Sequence, residues 1–297
     1  MYCTTINCGA VLMLLVVVGR DPVHANQRIS QIKCQEYRDW TTANSIDCTP
    51  NPTLILENAA EPGDFSHHAL FGYKTDGERS SENSTYQFAS SGSLISDRWI
   101  LAAAHSAQNR LGAPIVVRLG TNNDEENDPH IDCEIAEIIM YPEYSKRLLY
   151  YDIALVRLKE PVKFSKYIRP ICLWDSNEMN FTSVQVTELE TADDGLRLQN
   201  SYFEVQNKSD CEERFRRIRK IPDGIKDHQL CLVGEREWDS CRGASGSPAT
   251  ITLAEDDCVG YVVGIGSFGA NCGQGRTTDV HTKIGSFVDW IESIVWT

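Results

Sequence analysis

The chain has 297 residues, 24% charged and 41% hydrophobic, a balance that supplies a full globular core and excludes a disordered or fibrous chain. A formal net charge of -14 and a sequence pI of about 4.9 exclude phosphate-backbone binding as a main task, since that needs clustered Lys and Arg. The one basic cluster, Arg214 to Lys220 (RFRRIRK), could dock an anionic partner. A charge run is more often a solvated face, so no expectation is built on it.

In chain order, the first feature is an apolar run, Ala10 to Val18, too short to span a bilayer as a helix. Val23-His24-Ala25 follows it and has the small-residue pattern of a signal-peptidase site, so residues 1–25 are read as a signal peptide and Asn26 as the first mature residue. A buried first strand or an uncleaved anchor are the alternatives, because no Lys or Arg precedes the run. Residues 26–53 form a polar, cysteine-containing extension too thin for a domain of its own.

From Leu54 to the C-terminus, short apolar or alternating runs recur between turn signals. They are Ser93–Ile100, Ile115–Leu119, Ile153–Leu158, Val184–Leu189, Cys231–Val233 and Tyr261–Ile265. This predicts an all-β sandwich or barrel. Only the end reads helical, with Ile284, Phe287, Val288, Ile291, Ile294 and Val295 at i, i+3, i+4 and i+7 spacing. Beyond the signal the cysteines are dispersed, not in metal-type pairs. They predict disulfides in an exported chain and call for no metal or cofactor. The sequons at Asn83, Asn180 and Asn207 suit the same compartment.

A serine hydroxyl is a weak nucleophile unless a base lies within hydrogen-bond reach and a buried carboxylate holds that base in one tautomer. Three candidates for these roles are His105 after WILAAA, Asp152 before IALVRL and Ser245 in the Gly-rich turn GASGSP, all at element ends. Each alone is weak evidence. Together with their settings, SLISDRWILAAAHS, YYDIALVRL followed by RPICLW, DSCRGASGSP and VVGIGSFG, they resemble the trypsin/chymotrypsin-like serine proteases in order and spacing. Within that family the resemblance is nearest to arthropod clip-domain cascade proteases of the snake and easter type, as in KCQEY, DIALVRL, RPICLW and FVDWIE. The six-cysteine clip module is absent, since only Cys34 and Cys48 lie between the presumed signal and the protease-like region.

The resemblance implies two six-stranded antiparallel β-barrels of the chymotrypsin type with a C-terminal helix, residues 54–297 forming the protease domain. It implies that His105 serves as base, Asp152 as its orienter and Ser245 as nucleophile, with the N–H groups of Gly243 and Ser245 as oxyanion hole. Ser267 would hydrogen-bond the triad carboxylate, and Gly269 with its neighbours would pair with an extended substrate. Asp239, six residues before Ser245, would receive an Arg or Lys side chain. Asp279 stands where the family has a pocket glycine. Either it adds a second carboxylate to the pocket, raising one pKa or filling substrate space, or the alignment slips and Asp279 is exposed. The implied disulfides are Cys211–Cys231, Cys241–Cys272, Cys48–Cys172 and Cys34–Cys258, leaving Cys133 free or bridged to a partner.

Several positions depart from the family pattern. Thr53-Leu54-Ile55 occupies the place of the basic residue and new N-terminus used for activation, and Ala244 replaces the aspartate that would receive the freed amino group. Burying that ammonium unpaired would cost several kcal/mol. The Gly-Trp-Gly segment is missing around VQVTELETADDG, and Ser247 replaces a glycine. Ser90 and Ser106 stand in place of a cysteine pair beside the histidine, which implies a looser histidine loop. Two readings follow. One is a secreted endopeptidase cutting after Arg or Lys in an extracellular, haemolymph or developmental cascade, with protein substrates, cascade members and a serpin-type inhibitor as partners, and with no nucleic acid or membrane. The other is a catalytically impaired homologue acting as a binding cofactor.

Overall fold

The computed structural model describes residues 27–47, 63–74, 86–108, 110–121, 130–192, 195–235, 245–253, 259–270 and 276–297. The proposed signal peptide lies outside them. Among the described residues no helix is long and apolar enough to cross a membrane.

The first barrel closes in the order β1-β2-β3-β6-β5-β4. Its strands are β1 (His68–Lys74), β2 (Tyr86–Leu94), β3 (Trp99–Ala102), β4 (Val116–Leu119), β5 (Ile131–Met140) and β6 (Ala154–Leu158). The two-residue period of a strand explains its filling: Ala69, Phe71 and Tyr73 of β1 point inward with Ile100, Ala102, Val117, Leu119, Val156 and Leu158. The predicted run Ser93–Ile100 is the junction of β2 and β3, not one strand.

The second sheet comprises β7 (Cys172–Leu173), β8 (Ser183–Ala192), β9 (Gly195–Val205), β10 (Gln229–Glu235), β11 (Pro248–Ile251), β12 (Tyr261–Ala270) and β13 (Arg276–Lys283). Six of these close on themselves because β11 pairs with both β8 and β12; β7 joins β12 in parallel. The barrels meet over a shared core in which Ile95, Leu101, Ile153 and Leu155 face Ile171, Leu173, Val262 and Ile265. The predicted C-terminal helix, here Val288–Val295, seals that core with Val288 and Ile291.

The expectation that only the end is helical is corrected. Helix α1 (Ile29–Ala43) lies in the extension, and α2 (Lys208–Phe215) precedes β10; the C-terminal helix is α3. Helix α2 is capped by Asn207, whose Oδ1 accepts from the Asp210 N–H at 3.0 Å. Helix α1 buries Ser30, Cys34, Tyr37 and Thr41, a helical stripe too polar to show as hydrophobic periodicity. Tyr37 donates its hydroxyl to the Ile95 carbonyl at 2.9 Å, and Arg28 pairs with Asp289 and Glu292 of α3.

The same stripe overturns two expected disulfides. Cys34 faces β7 and is bonded to Cys172, so neither Cys48–Cys172 nor Cys34–Cys258 forms. Cys211–Cys231 is present as expected. Cys48, Cys241, Cys258 and Cys272 lie outside the described residues. Cys133 is a free thiol, its pKa pushed up to about 11 by burial and then by the neighbouring Asp132 charge.

Candidate active site

His105 sits in a short 3-10 turn, Ala104–Gln108, directly after β3. Asp152 precedes β6, and Ser245 begins the turn that enters β11. The first two come from one barrel and the third from the other, and the fold brings them together. His105 Nδ1 lies 2.7 Å from Asp152 Oδ2, and His105 Nε2 lies 3.0 Å from Ser245 Oγ. The carboxylate also accepts the His105 main-chain N–H at 2.9 Å and the Ser267 hydroxyl at 2.6 Å. The main-chain carbonyl of Asp152 accepts the Thr282 hydroxyl at 2.8 Å.

Asp152 is 2% exposed. Burial alone would raise its pKa, but the His105 charge and the hydrogen bonds from His105 and Ser267 outweigh that and hold it below the usual carboxylate range. At His105 burial opposes the charged ring; the Asp152 carboxylate wins and lifts the imidazole above its ordinary value.

The nucleophile turn is held from both barrels. Ser91 N–H of β2 donates to the Ser245 carbonyl at 2.9 Å, and Gly246 N–H donates to the Gly266 carbonyl at 3.0 Å. Gly246 has φ of +76° and packs so closely that a Cβ there would collide with the Ser91 carbonyl oxygen; only glycine fits. Behind Asp152, Tyr151 adopts φ of +55°, a costly conformation held by stacking on His228 at 4.3 Å between ring centroids.

Sequence reasoning missed Tyr73. Its hydroxyl is 2.6 Å from Ser90 Oγ and donates to the Ser106 carbonyl at 2.8 Å. It thus spans the two positions where the family pattern has cysteines and ties β1 and β2 to the histidine turn. The expected loosening of that turn is offset by these bonds. His68–Lys74 is not among the strands predicted from the sequence, so only the fold shows that this tyrosine points inward, where its hydroxyl needs a partner.

Asp279 on β13 is paired with Gly269 of β12 and Leu232 of β10. It is 4% exposed, so the exposed alternative is corrected. A Cβ on Gly269 would collide with Asp279 Oδ1, which puts the carboxylate directly beneath that glycine. Along Ser267–Gly269, β12 has β13 on one side, while β11 and β7 reach only the Tyr261–Ile265 end. Asp239, Gly243 and Ala244 lie outside the described residues. Among the described residues no group of three His, Cys, Asp or Glu is arranged to hold a metal.

Residues 59–291 match the family described as Trypsin. The chain belongs to the trypsin family. It is 34% identical over 290 residues to "Serine protease snk" of Drosophila melanogaster, covering 91% of this chain and 66% of the relative. It is 34% identical over 254 residues to "Phenoloxidase-activating factor 1" of Holotrichia diomphalia, covering 78% and 67%. The chain thus spans about two thirds of the length of these two relatives. The crystal structure of the Drosophila Grass clip serine protease of the Toll pathway superposes with a TM-score of 0.65 at 26% identity, covering 83% of this chain and 74% of that one. The two closed antiparallel barrels are therefore those of a trypsin-family serine protease.

Proposed function

We propose that this trypsin-family chain is a secreted serine endopeptidase that cuts after Arg or Lys in an extracellular cascade. One observation carries the reading: the unbroken relay Ser267–Asp152–His105–Ser245, each link 3.0 Å or shorter. In it the Ser245 hydroxyl attacks a peptide carbonyl as His105 Nε2 takes its proton. Asp152, receiving the Nδ1–H, stabilises the imidazolium, which then protonates the leaving amine. The N–H groups of Gly243 and Ser245 stabilise the oxyanion, at about 10²–10³ in turnover per donor. The edge of β12 at Ser267–Gly269, which no described strand covers opposite β13, pairs with the extended substrate. Asp239 receives its cationic side chain, and Asp279 lines the same pocket beneath Gly269. Residues 1–25 direct export, residues 26–53 are an extension held by Cys34–Cys172, and residues 54–297 do the chemistry.

The test is covalent labelling of the secreted chain by a fluorophosphonate probe beside a Ser245→Ala control. Labelling that depends on Ser245 supports turnover, and Asp239→Ser should then abolish the preference for Arg and Lys substrates. Absence of labelling in folded protein, before and after trypsin treatment, would favour the binding-cofactor reading that Thr53 and Ala244 motivate.

A further inference from the structure

The Arg214–Lys220 cluster, given no role by the sequence, acquires a second half in the fold. Leu149 N–H donates to the Lys220 carbonyl at 3.1 Å, which brings the loop bearing Lys146 and Arg147 against the end of the cluster. The junction is pinned. Tyr150 hydroxyl donates to the Gly224 carbonyl at 2.9 Å, and Gln229 Nε2 donates to the Leu149 carbonyl at 2.7 Å. Beneath it Tyr150, Phe215, Ile221 and Ile225 pack around Cys211–Cys231.

On this base Lys146, Arg147, Arg214, Arg217, Arg219 and Lys220 are all exposed, with no acidic residue in 145–151 or 214–222. None of the six side chains forms an ion pair among the described residues, whereas Arg118, Arg157, Lys159 and Lys208 each have a carboxylate. Three of the nearby acids are engaged elsewhere, Glu213 with Arg216, Asp223 with Lys226 and Asp227 with Lys208, while Glu143 and Glu212 flank the two halves of the patch. In a chain of net charge -14 this is a local field of opposite sign to the whole.

Its position supplies the second observation. Phe215, inside the cluster, packs edge-on against Phe268 with ring centroids 5.3 Å apart, and Phe268 lies between Ser267 and Gly269 on the edge of β12 that no described strand covers opposite β13. Tyr151, at the other end of the pinned loop, adjoins Asp152. The cationic surface therefore borders the edge along which a peptide would lie.

We infer that this surface docks an acidic, Glu- or Asp-rich stretch of a protein substrate whose scissile region lies along Ser267–Gly269; the inference rests on reading that edge as peptide-binding. A short acidic segment touches only the cationic surface. A long polyanion would also run over the acidic remainder of the molecule, repelled within a screening distance of about 8 Å at physiological salt.

The experiment uses the full secreted chain carrying Ser245→Ala and reads fluorescence anisotropy of a labelled peptide of six glutamates followed by Gly-Arg, beside the same peptide with glutamines. The glutamate peptide should bind about 10-fold more tightly, lose affinity as salt rises, and lose about 10-fold on Arg217→Glu with Arg219→Glu. Lys146→Glu with Arg147→Glu should act likewise, and Lys163→Glu, on a separate exposed loop, should not. Equal binding of the two peptides, or equal losses in all variants, overturns the inference. So does tighter binding of heparin or single-stranded DNA through the same arginines, which would make the surface a polyanion site. Because Ser245→Ala needs no turnover, a failure to label Ser245 in the parent chain does not decide this test.

Discussion

At Asp152 two effects oppose each other, and the outcome sets a pH dependence. Burial disfavours its charge, yet the carboxylate stays ionised because His105 and Ser267 bond to it. The same charge raises the imidazole pKa above the ordinary value of about 6.5. A general base must be neutral to take the serine proton, so labelling of Ser245 by a fluorophosphonate should fall as pH drops through that raised value. Asp152→Asn leaves the burial and removes the charge. The inflection should then move to lower pH while the rate at pH 8 falls by roughly 10³–10⁴. Measuring the labelling rate from pH 5 to 9 in both chains checks this. An unmoved inflection would mean that Asp152 does not set the base.

At the scale of elements, the same turn depends on Tyr73, which links β1 to Ser90 of β2 and to the Ser106 carbonyl beside His105. Removing the hydroxyl leaves a buried carbonyl and a serine short of a bond, at about 1–3 kcal/mol. Tyr73→Phe should therefore lower the midpoint of urea unfolding and quicken amide exchange across residues 104–108. Ser90→Cys with Ser106→Cys, if bridged, should restore both; exchange unchanged in Tyr73→Phe would remove Tyr73 from this role. In the sequence, His105, Asp152 and Ser245 are each weak evidence alone; they stood out because the motifs around them together resemble those of trypsin-like serine proteases in order and spacing. Helix α1 did not, because its buried stripe of Ser30, Cys34, Tyr37 and Thr41 is stabilised by tertiary bonds to Ile95 and Glu292 rather than by apolar periodicity. The Cys34–Cys172 pairing was equally hidden, since it depends on which helical face meets β7. Tyr73 belongs to the same class: its partners lie on other elements and no spacing announces them.

The molecule as a whole must hold two barrels in register, since His105 and Asp152 belong to one and Ser245 to the other. Its stability in acid follows from where its histidines are buried. His68, on β1, is 2% exposed and neither ring nitrogen has a hydrogen-bond partner among the described residues. Burial, then the adjacent His67, pushes its pKa down to about 3. The unfolded chain protonates this ring near pH 6.5 and the folded chain does not, so its own contribution lowers stability across that window by about 2 kcal/mol at pH 5; His67 and His228, pushed down to about 3 and about 4 chiefly by burial, act in the same sense. His105 acts in the opposite sense. Its folded pKa is raised, so its contribution is complete below pH 6.5 and is lost only as pH rises through the raised value. Asp152, with a depressed pKa, loses its contribution only below the ordinary carboxylate range. Between pH 6.5 and 5 His68, unlike His105 and Asp152, is therefore a group whose charging works against the fold. Urea unfolding at pH 7 and pH 5 should show the loss in the native chain. His68→Leu, which keeps an apolar side chain at the site and removes the proton acceptor, should reduce it by about 2 kcal/mol. Parallel losses in the two proteins would place the acid sensitivity elsewhere in the structure.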